Sequence, residues 1–175
     1  MNTERYHLVS RSLHWLMALM IFGLIAVGNY MSGLDRDAPG RVDLILLHKA
    51  TGFVFIWLLI ARIAWAFKKP APKLPEAFSK TERVLAKSTK HLLYLLMAIV
   101  PLSGWAMANF AGSAIKFGGV SVPLLFEENR ALAGFFHEVH EYAPWVLLAV
   151  VVLHLTAVLY HLFEGEKKSI LSRML

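Results

Sequence analysis

The 175-residue sequence contains no cysteine and few charged residues. Without thiols, the chain can form neither a disulfide nor a thiolate-ligated iron–sulfur cluster, and it lacks the C-x-x-C-H sequence that attaches a c-type haem covalently. Charged residues make up 17% of the chain, whereas 57% of the residues are hydrophobic and the mean hydropathy is +0.54. A soluble domain of this size would carry more charge, so the composition indicates an integral membrane protein.

Four apolar stretches are long enough to cross a hydrocarbon core about 30 Å thick, which takes about 20 helical residues. We place these helices near residues 12–31, 44–67, 91–110 and 138–163. The connections carry Gly, Pro and charged residues, and none is long enough to hold a soluble domain. The third connection is the longest and is apolar enough to fold back onto the membrane surface. The sequence therefore predicts an all-α membrane protein in which residues 1–175 form one four-helix bundle.

The distribution of basic residues predicts the orientation, because Lys and Arg in short loops stay on the cytoplasmic side. The two ends of the chain and the second connection hold twelve basic residues, and the opposite side holds five. The twelve are Arg5, Arg11, Lys68, Lys69, Lys73, Lys80, Arg83, Lys87, Lys90, Lys167, Lys168 and Arg173. We therefore expect both termini to be cytoplasmic. Membrane lipid with anionic headgroups explains this excess without any nucleic-acid partner.

Four histidines on three of the helices lie at matching depths. His140 and His154 are separated by a helical rise of about 21 Å and lie on nearly the same face. His14 begins the first helix on the cytoplasmic side, and His48 lies about one turn into the second helix on the outer side. In depth, His14 then matches His154, and His48 matches His140. Two imidazoles from different helices at one level suit bis-histidine ligation of a haem iron, so the spacing predicts two metal sites.

Two other histidines compete for these roles. His137 lies about 100° around the helix from His154, so we expect it at the surface. His161 follows His154 by two turns on nearly the same face, and geometry alone leaves His14 free to pair with either residue. The segment around His137 and His140 resembles a zinc-protease helix only superficially, because that motif needs histidines four residues apart. The middle thirds of the helices hold no Asp or Glu, which argues against an ion transporter.

Two further residues of the second helix share a face with His48. Gly52 lies one turn after His48, where a missing side chain would let a macrocycle approach the helix. A small residue at an ordinary helix contact is nearly as good an explanation. Arg62 lies about 21 Å along the helix from His48, near the predicted level of His14. We favour a role in neutralising a haem propionate over a side chain that merely extends to the interface.

A series of motifs covers nearly the whole chain. It comprises Arg11-Ser-Leu-His14-Trp15, His48-Lys49-Ala-Thr-Gly52 followed by Arg62, residues 94–105 with Pro101 and Gly104, His140-Glu141, and His154 with Tyr160-His161. This series resembles the bacterial cytochrome b561 family of four-helix dihaem membrane proteins, and it is close to the superoxide oxidase branch. The resemblance implies a multi-pass protein of the bacterial inner membrane that binds two haem b groups non-covalently. It also implies that His14, His154, His48 and His140 are the iron ligands, which favours His154 over His161.

Iron with two imidazole ligands has no open coordination position, so we expect outer-sphere transfer of one electron at a time. The preferred hypothesis is an oxidoreductase that passes electrons from periplasmic superoxide to ubiquinone. The alternative is a quinol-oxidising cytochrome b subunit that passes electrons to a periplasmic redox partner, and a third class is a structural or haem-storage protein. His161 is the candidate quinone or proton site, because quinone reduction consumes protons and imidazole titrates near neutrality. Ser12 and nearby basic residues are weaker candidates.

The outer segments do not form a positive surface that would attract superoxide. They hold five basic residues against seven acidic ones. The basic residues are Arg36, Arg41, Lys49, Lys116 and Arg130, and the acidic residues are Asp35, Asp37, Asp43, Glu127, Glu128, Glu138 and Glu141. A superoxide route would therefore need a local cluster. We expect this cluster at Lys49, beside His48, with Lys116 or Arg130 folded over it.

Overall fold

The computed structural model of the chain describes residues 5–117, 119–164 and 170–175. Its helices are α1 (Leu8–Ser32), α2 (Arg41–Lys68), α3 (Lys80–Phe110) and α4 (Arg130–Phe163), and a 3-10 turn covers Leu171–Arg173. Strands β1 (Lys116–Phe117) and β2 (Val120–Ser121) form a short antiparallel hairpin between α3 and α4. All four helices are long and apolar enough to cross a membrane. The predicted four-helix membrane fold is confirmed.

The outer surface of the bundle is apolar. Leu19, Phe67 and Leu153 are 72%, 83% and 67% exposed. In water such a surface would be unfavourable by about 25 cal/mol for each Å² of apolar area. Beside lipid chains the same side chains are in a matching medium, so this pattern belongs to a bundle surrounded by lipid.

Two helices begin earlier than the sequence analysis predicted. The predicted starts at residues 91 and 138 were wrong, because α3 begins at Lys80 and α4 begins at Arg130. Ser79 and Glu82 form a capping box at the start of α3, in which the Glu82 carboxylate accepts from the Ser79 N–H at 2.6 Å. The first turns of α3 are polar, so a criterion based on apolar length misses them. The starts and ends of α1 and α2 lie close to the predicted positions.

One end of the bundle, formed by residues 33–40, 111–117 and 119–129, is called the hairpin end. The α3–α4 connection is tied down there, because Asn109 Oδ1 accepts from Leu125 N at 2.8 Å and Asn129 N donates to Phe110 O at 3.0 Å. Gly112 has a φ of +64°, and a β-carbon at this position would collide with the Glu128 carboxylate. Glycine is therefore needed at this turn. Gly118, part of the same predicted loop, lies outside the described residues.

The opposite end, formed by residues 5–7, 69–79, 164 and 170–175, is called the terminal end. Tyr6 N donates to Arg173 O at 3.0 Å, and Arg173 Nη2 donates to Lys73 O at 2.9 Å. The two ends of the chain therefore meet at one end of the bundle. Its cytoplasmic orientation stays a prediction, and two of the basic residues behind it, Lys167 and Lys168, lie outside the described residues.

A buried apolar layer lies at the centre of the bundle. On α4 its residues fall between His140 and His154, on α2 they fall between His48 and Arg62, and on α1 they follow His14. The layer consists of Met17, Ile21, Phe55, Leu59, Leu96, Leu147 and Val150. The fold thus separates two polar levels, one towards each end of the bundle.

Candidate functional site

His48 on α2 and His140 on α4 face each other near the hairpin end. Their ring centroids are 6.0 Å apart and the ring planes meet at 76°. Two opposed imidazoles that bind one metal ion at about 2.0–2.1 Å from each nitrogen have ring centroids roughly 6 Å apart. The separation of this pair therefore fits one iron held between the two rings.

The backbone of α3 fixes the orientation of His140. The Nδ1 atom of His140 lies 2.8 Å from Val100 O. A carbonyl oxygen only accepts hydrogen bonds, so Nδ1 carries the proton and Nε2 keeps its lone pair. Metal-binding histidines commonly donate their second ring N–H to a carbonyl in this way. Ser103 Oγ donates to the same carbonyl at 2.8 Å.

Two glycines make room for this pair of histidines. A β-carbon at Gly104 would lie 2.7 Å from His140 Cε1, and one at Gly28 would lie 3.1 Å from His48 Cε1. The sequence analysis did not predict this role for either glycine. The feature that could have indicated it is the depth of each glycine in the bundle, which matches that of a histidine on a neighbouring helix. At Gly52, a β-carbon would meet no described atom within 4 Å. The ordinary helix contact considered for Gly52 is therefore not present in the described packing, and its macrocycle role stays a prediction.

The second pair lies towards the terminal end. His14 and His154 are close enough for an electrostatic interaction. The Nη2 atom of Arg62 lies 3.2 Å from His14 Nδ1, and its Nε donates to Tyr94 Oη at 3.1 Å. Arg62 Nη1 is buried without a hydrogen-bond partner among the described residues. A carboxylate such as a haem propionate would satisfy this donor, so Arg62 fits a haem propionate.

Tyr6 is a polar residue of this level that the sequence analysis missed. It lies just before α1, close enough to interact with Arg173, Tyr94 and Arg62. Burial raises the pKa of its phenol above the usual value. The hydroxyl therefore stays protonated at neutral pH. Tyr6 and Tyr94 have no spacing pattern that would have singled them out, because their proximity to Arg62 depends on how three segments pack.

His161 has neighbours of its own. The residue is only 8% exposed, and its ring lies 4.6 Å from that of Phe78 in the 69–79 connection. Its Nδ1 atom lies 2.9 Å from Glu164 Oε2, and Glu82 contributes a second carboxylate to the same cluster. The sequence left His14 free to pair with either residue, and the structure places His154 close enough to His14 for an electrostatic interaction, while His161 contacts this acidic cluster.

Lys49 at the hairpin end is bound to the α3–α4 connection. Its ammonium donates to Ser113 O at 2.8 Å, to Ser113 Oγ at 2.9 Å and to Ala114 O at 3.4 Å. Lys116 is close enough to interact electrostatically with Lys49, while Arg130 stands at the start of α4. The expected pair of lysines is therefore brought together, although loop oxygens already bind the Lys49 ammonium.

An open pocket of about 570 Å³ lies beside Lys49. Its lining includes Ala108 on α3 and Gly134, His137 and Glu138 on α4. The side chain of His137 is 61% exposed and lies 3.6 Å from Glu141. His137 therefore lies at the surface, and not in the His48–His140 pair.

Comparison with known proteins gives consistent matches over the whole chain. The model of the prokaryotic cytochrome b561 family matches residues 5–175. Cytochrome b561 homolog 2 of Escherichia coli (strain K12) is 30% identical over 179 residues, which cover 98% of this chain and 92% of that protein. A probable superoxide oxidase of Yersinia pestis is 24% identical over 98% of this chain and 96% of its own. Cytochrome b561 homolog 1 of Escherichia coli is 22% identical over 93% and 92%, respectively.

Proposed function

The chain belongs to the prokaryotic cytochrome b561 family, and from this premise we propose that it passes electrons from periplasmic superoxide to ubiquinone. Members of this family are multi-pass bacterial membrane proteins that transfer electrons through b-type haem. To that general activity the proposal adds a location, which is the bacterial inner membrane. It also adds a direction of electron transfer and two substrates. It also assigns two haems to the two histidine pairs.

The geometry of His48 and His140 is the observation that carries the haem assignment. The rings stand 6.0 Å apart, and the Val100 carbonyl leaves Nε2 of His140 as the free lone pair. Haem bound between two such rings would supply a one-electron couple without an open position for oxygen. His14 and His154 would hold the second haem, and Arg62 would pair with one of its propionates.

The apolar layer between the two pairs serves this function by keeping water out. Met17, Phe55 and Leu147 are each at most 4% exposed, and they lie between the two levels. A dry layer of packed side chains strengthens the electrostatic influence of charged groups such as Arg62 on the haem level beside it. Among the described residues, this layer contains no carboxylate that could carry ions through the centre of the bundle.

Two observations favour superoxide as the electron donor. A probable superoxide oxidase is similar to this chain over 98% of its length. Lys49, the residue after His48, is also close enough to Lys116 for an electrostatic interaction. These two lysines would provide local positive charge at the hairpin end, where acidic residues outnumber basic ones. Two superoxide ions would give up one electron each and leave as O2. One ubiquinone would take up two electrons and two protons, and it would leave as ubiquinol.

The alternative, quinol oxidation followed by transfer to a periplasmic redox partner, is favoured by the pocket beside Lys49. At about 570 Å³ it is in the size range of small-molecule sites. His137 and Glu138 in its wall would accept the protons that a quinol releases. In this case electrons would run from a quinol at the hairpin end to the partner protein.

Rapid mixing separates the two directions. The purified, oxidised, haem-loaded protein is mixed with superoxide or with ubiquinol while haem reduction is followed by absorbance. We expect fast reduction by superoxide and reoxidation when ubiquinone is added. Haem reduction by ubiquinol but not by superoxide would overturn the proposal. The His154→Ala variant should lose about half of the haem and its ubiquinone-dependent reoxidation, whereas the exposed-site control His137→Ala should keep both haems.

A further inference from the structure

The contact between His161 and Glu164 joins a buried group to a group that reaches water. The two residues lie one turn apart at the end of α4, with 2.9 Å between Nδ1 and Oε2. The side chain of His161 is 11% exposed and that of Glu164 is 27% exposed. The pair therefore forms a continuous hydrogen-bonded contact from the surface of the terminal end to an imidazole inside it.

The position of Glu164 is unfavourable for the helix itself. Glu164 is the C-cap of α4, and the C-terminus of a helix carries partial negative charge that disfavours a carboxylate nearby. Helix stability therefore does not explain an acidic residue at this position. Glu164 contacts His161 and Tyr160, whose hydroxyl donates to Glu164 Oε1 at 3.4 Å. The imidazole of His161 can donate a hydrogen bond to a carboxylate or exchange a proton with a carboxylic acid.

The surroundings of His161 leave few groups that can exchange protons with it. The Phe78 ring covers it from the 69–79 connection, and Arg83 is occupied in binding the Phe78 carbonyl at 3.0 Å. Among the described residues, the titratable groups around the imidazole are Glu82 on α3 and Tyr160 and Glu164 on α4. Glu82 also caps α3 through the Ser79 N–H. Glu164 is the member of this set that both contacts His161 Nδ1 and lies at the end of a helix.

We propose that Glu164 is the proton-entry residue for His161 at the ubiquinone site. The inference rests on the proposed role of His161 in quinone reduction. Each time the quinone takes up an electron, the Nε2–H bond of His161 breaks and a bond from that proton to a quinone oxygen forms. The Glu164 carboxyl gives a proton to Nδ1 and is then reprotonated from water. Between the transfers the imidazole ring reorients, so that the nitrogen that took the Glu164 proton faces the quinone. Two such transfers supply the two protons of one ubiquinol, and the two electrons come from two superoxide ions.

The Glu164→Gln variant tests this proposal, because glutamine keeps the hydrogen-bonding shape but cannot give up a proton. The holoprotein is reduced and then mixed with a short-chain ubiquinone. We expect haem reoxidation to slow by roughly tenfold or more, while haem reduction by superoxide keeps its rate. A small weak acid such as formate should restore the rate, and Glu164→Asp should retain most of it. Glu141→Gln is the matched control, because Glu141 forms a similar contact with His137 in the first half of α4.

The outcomes separate this inference from the proposed function. Slow reoxidation of Glu164→Gln that formate restores supports proton entry through Glu164. Slow reoxidation without such rescue indicates a structural role and overturns the inference. Normal reoxidation of Glu164→Gln beside slow reoxidation of His161→Ala overturns the inference and leaves the ubiquinone site in place. Normal reoxidation of both variants places quinone reduction elsewhere, which overturns the inference and the role of His161 but leaves electron transfer to ubiquinone in place.

Discussion

At the scale of single residues, the site depends on a few atoms placed around two imidazole rings. The Val100 carbonyl sets which nitrogen of His140 is free, and Gly104 lets the α3 backbone come close enough to do so. The sequence predicted the histidines because a helix has a fixed rise and rotation per residue. It could not predict Val100 or Gly104, because their proximity to His140 depends on the rotation of α3 against α4.

Gly104→Ala should disturb the His140 ring. The added methyl group would lie 2.7 Å from Cε1, and overfilling a packed site typically costs about 1–3 kcal/mol. We expect lower haem content, a shifted haem absorbance band and a lower melting temperature. Gly134→Ala, on α4, is the control, because its β-carbon would meet no described atom within 4 Å. An unchanged haem content in Gly104→Ala would contradict the close packing of α3 against the ring.

Gly52 gives a separate test of the macrocycle hypothesis. Protein packing around Gly52 is open among the described residues, so alanine there should leave the stability of the haem-free protein unchanged or slightly raised. Haem content should fall if the macrocycle lies against this part of α2. Equal haem content in Gly52→Ala and in the unaltered protein would remove Gly52 from the binding site.

At the scale of helices and connections, the sequence was reliable for the membrane-spanning parts and unreliable for the first turns of α3 and α4. Apolar length identified the lipid-facing parts of α3 and α4, but it placed their first residues too late. The early starts depend on local capping by Ser79 and Asn129, which a hydropathy criterion ignores. The hairpin was missed for a related reason, since each of its strands has only two residues.

Removing the Ser79 cap should weaken the first turns of α3. Ser79→Ala loses the side-chain acceptor for the Glu82 N–H, and losing such a cap costs about 1 kcal/mol. For a chain of this size we expect a melting temperature about 2–4 °C lower, together with faster amide exchange in the first turns of α3. Ser88→Ala, inside the same helix, should not lower it, because alanine is the better helix former. A similar loss in both variants would argue against the capping box.

At the scale of the whole molecule, the sequence predicted which residues lie at the same depth in the bundle. Four antiparallel helices of similar length bring residues at equal depth together. His14 and His48 therefore fall opposite His154 and His140. The contacts that close the terminal end could not be predicted in the same way. Arg173 binds Lys73 across most of the chain length, and no periodicity links two residues whose contact depends on how irregular segments fold.

The absence of cysteine provides a direct test of the predicted orientation. Single cysteines can be introduced without any background thiol, and Glu76 and Glu127 are both exposed, one at each end of the bundle. A membrane-impermeant maleimide added outside the inner membrane should label Glu127→Cys at once. It should label Glu76→Cys only after that membrane is permeabilised. The two variants remove the same charge, so a difference in labelling reports the side of the membrane. The reverse pattern would place the His48–His140 pair towards the cytoplasm, and superoxide from the periplasm would then meet the His14–His154 level first.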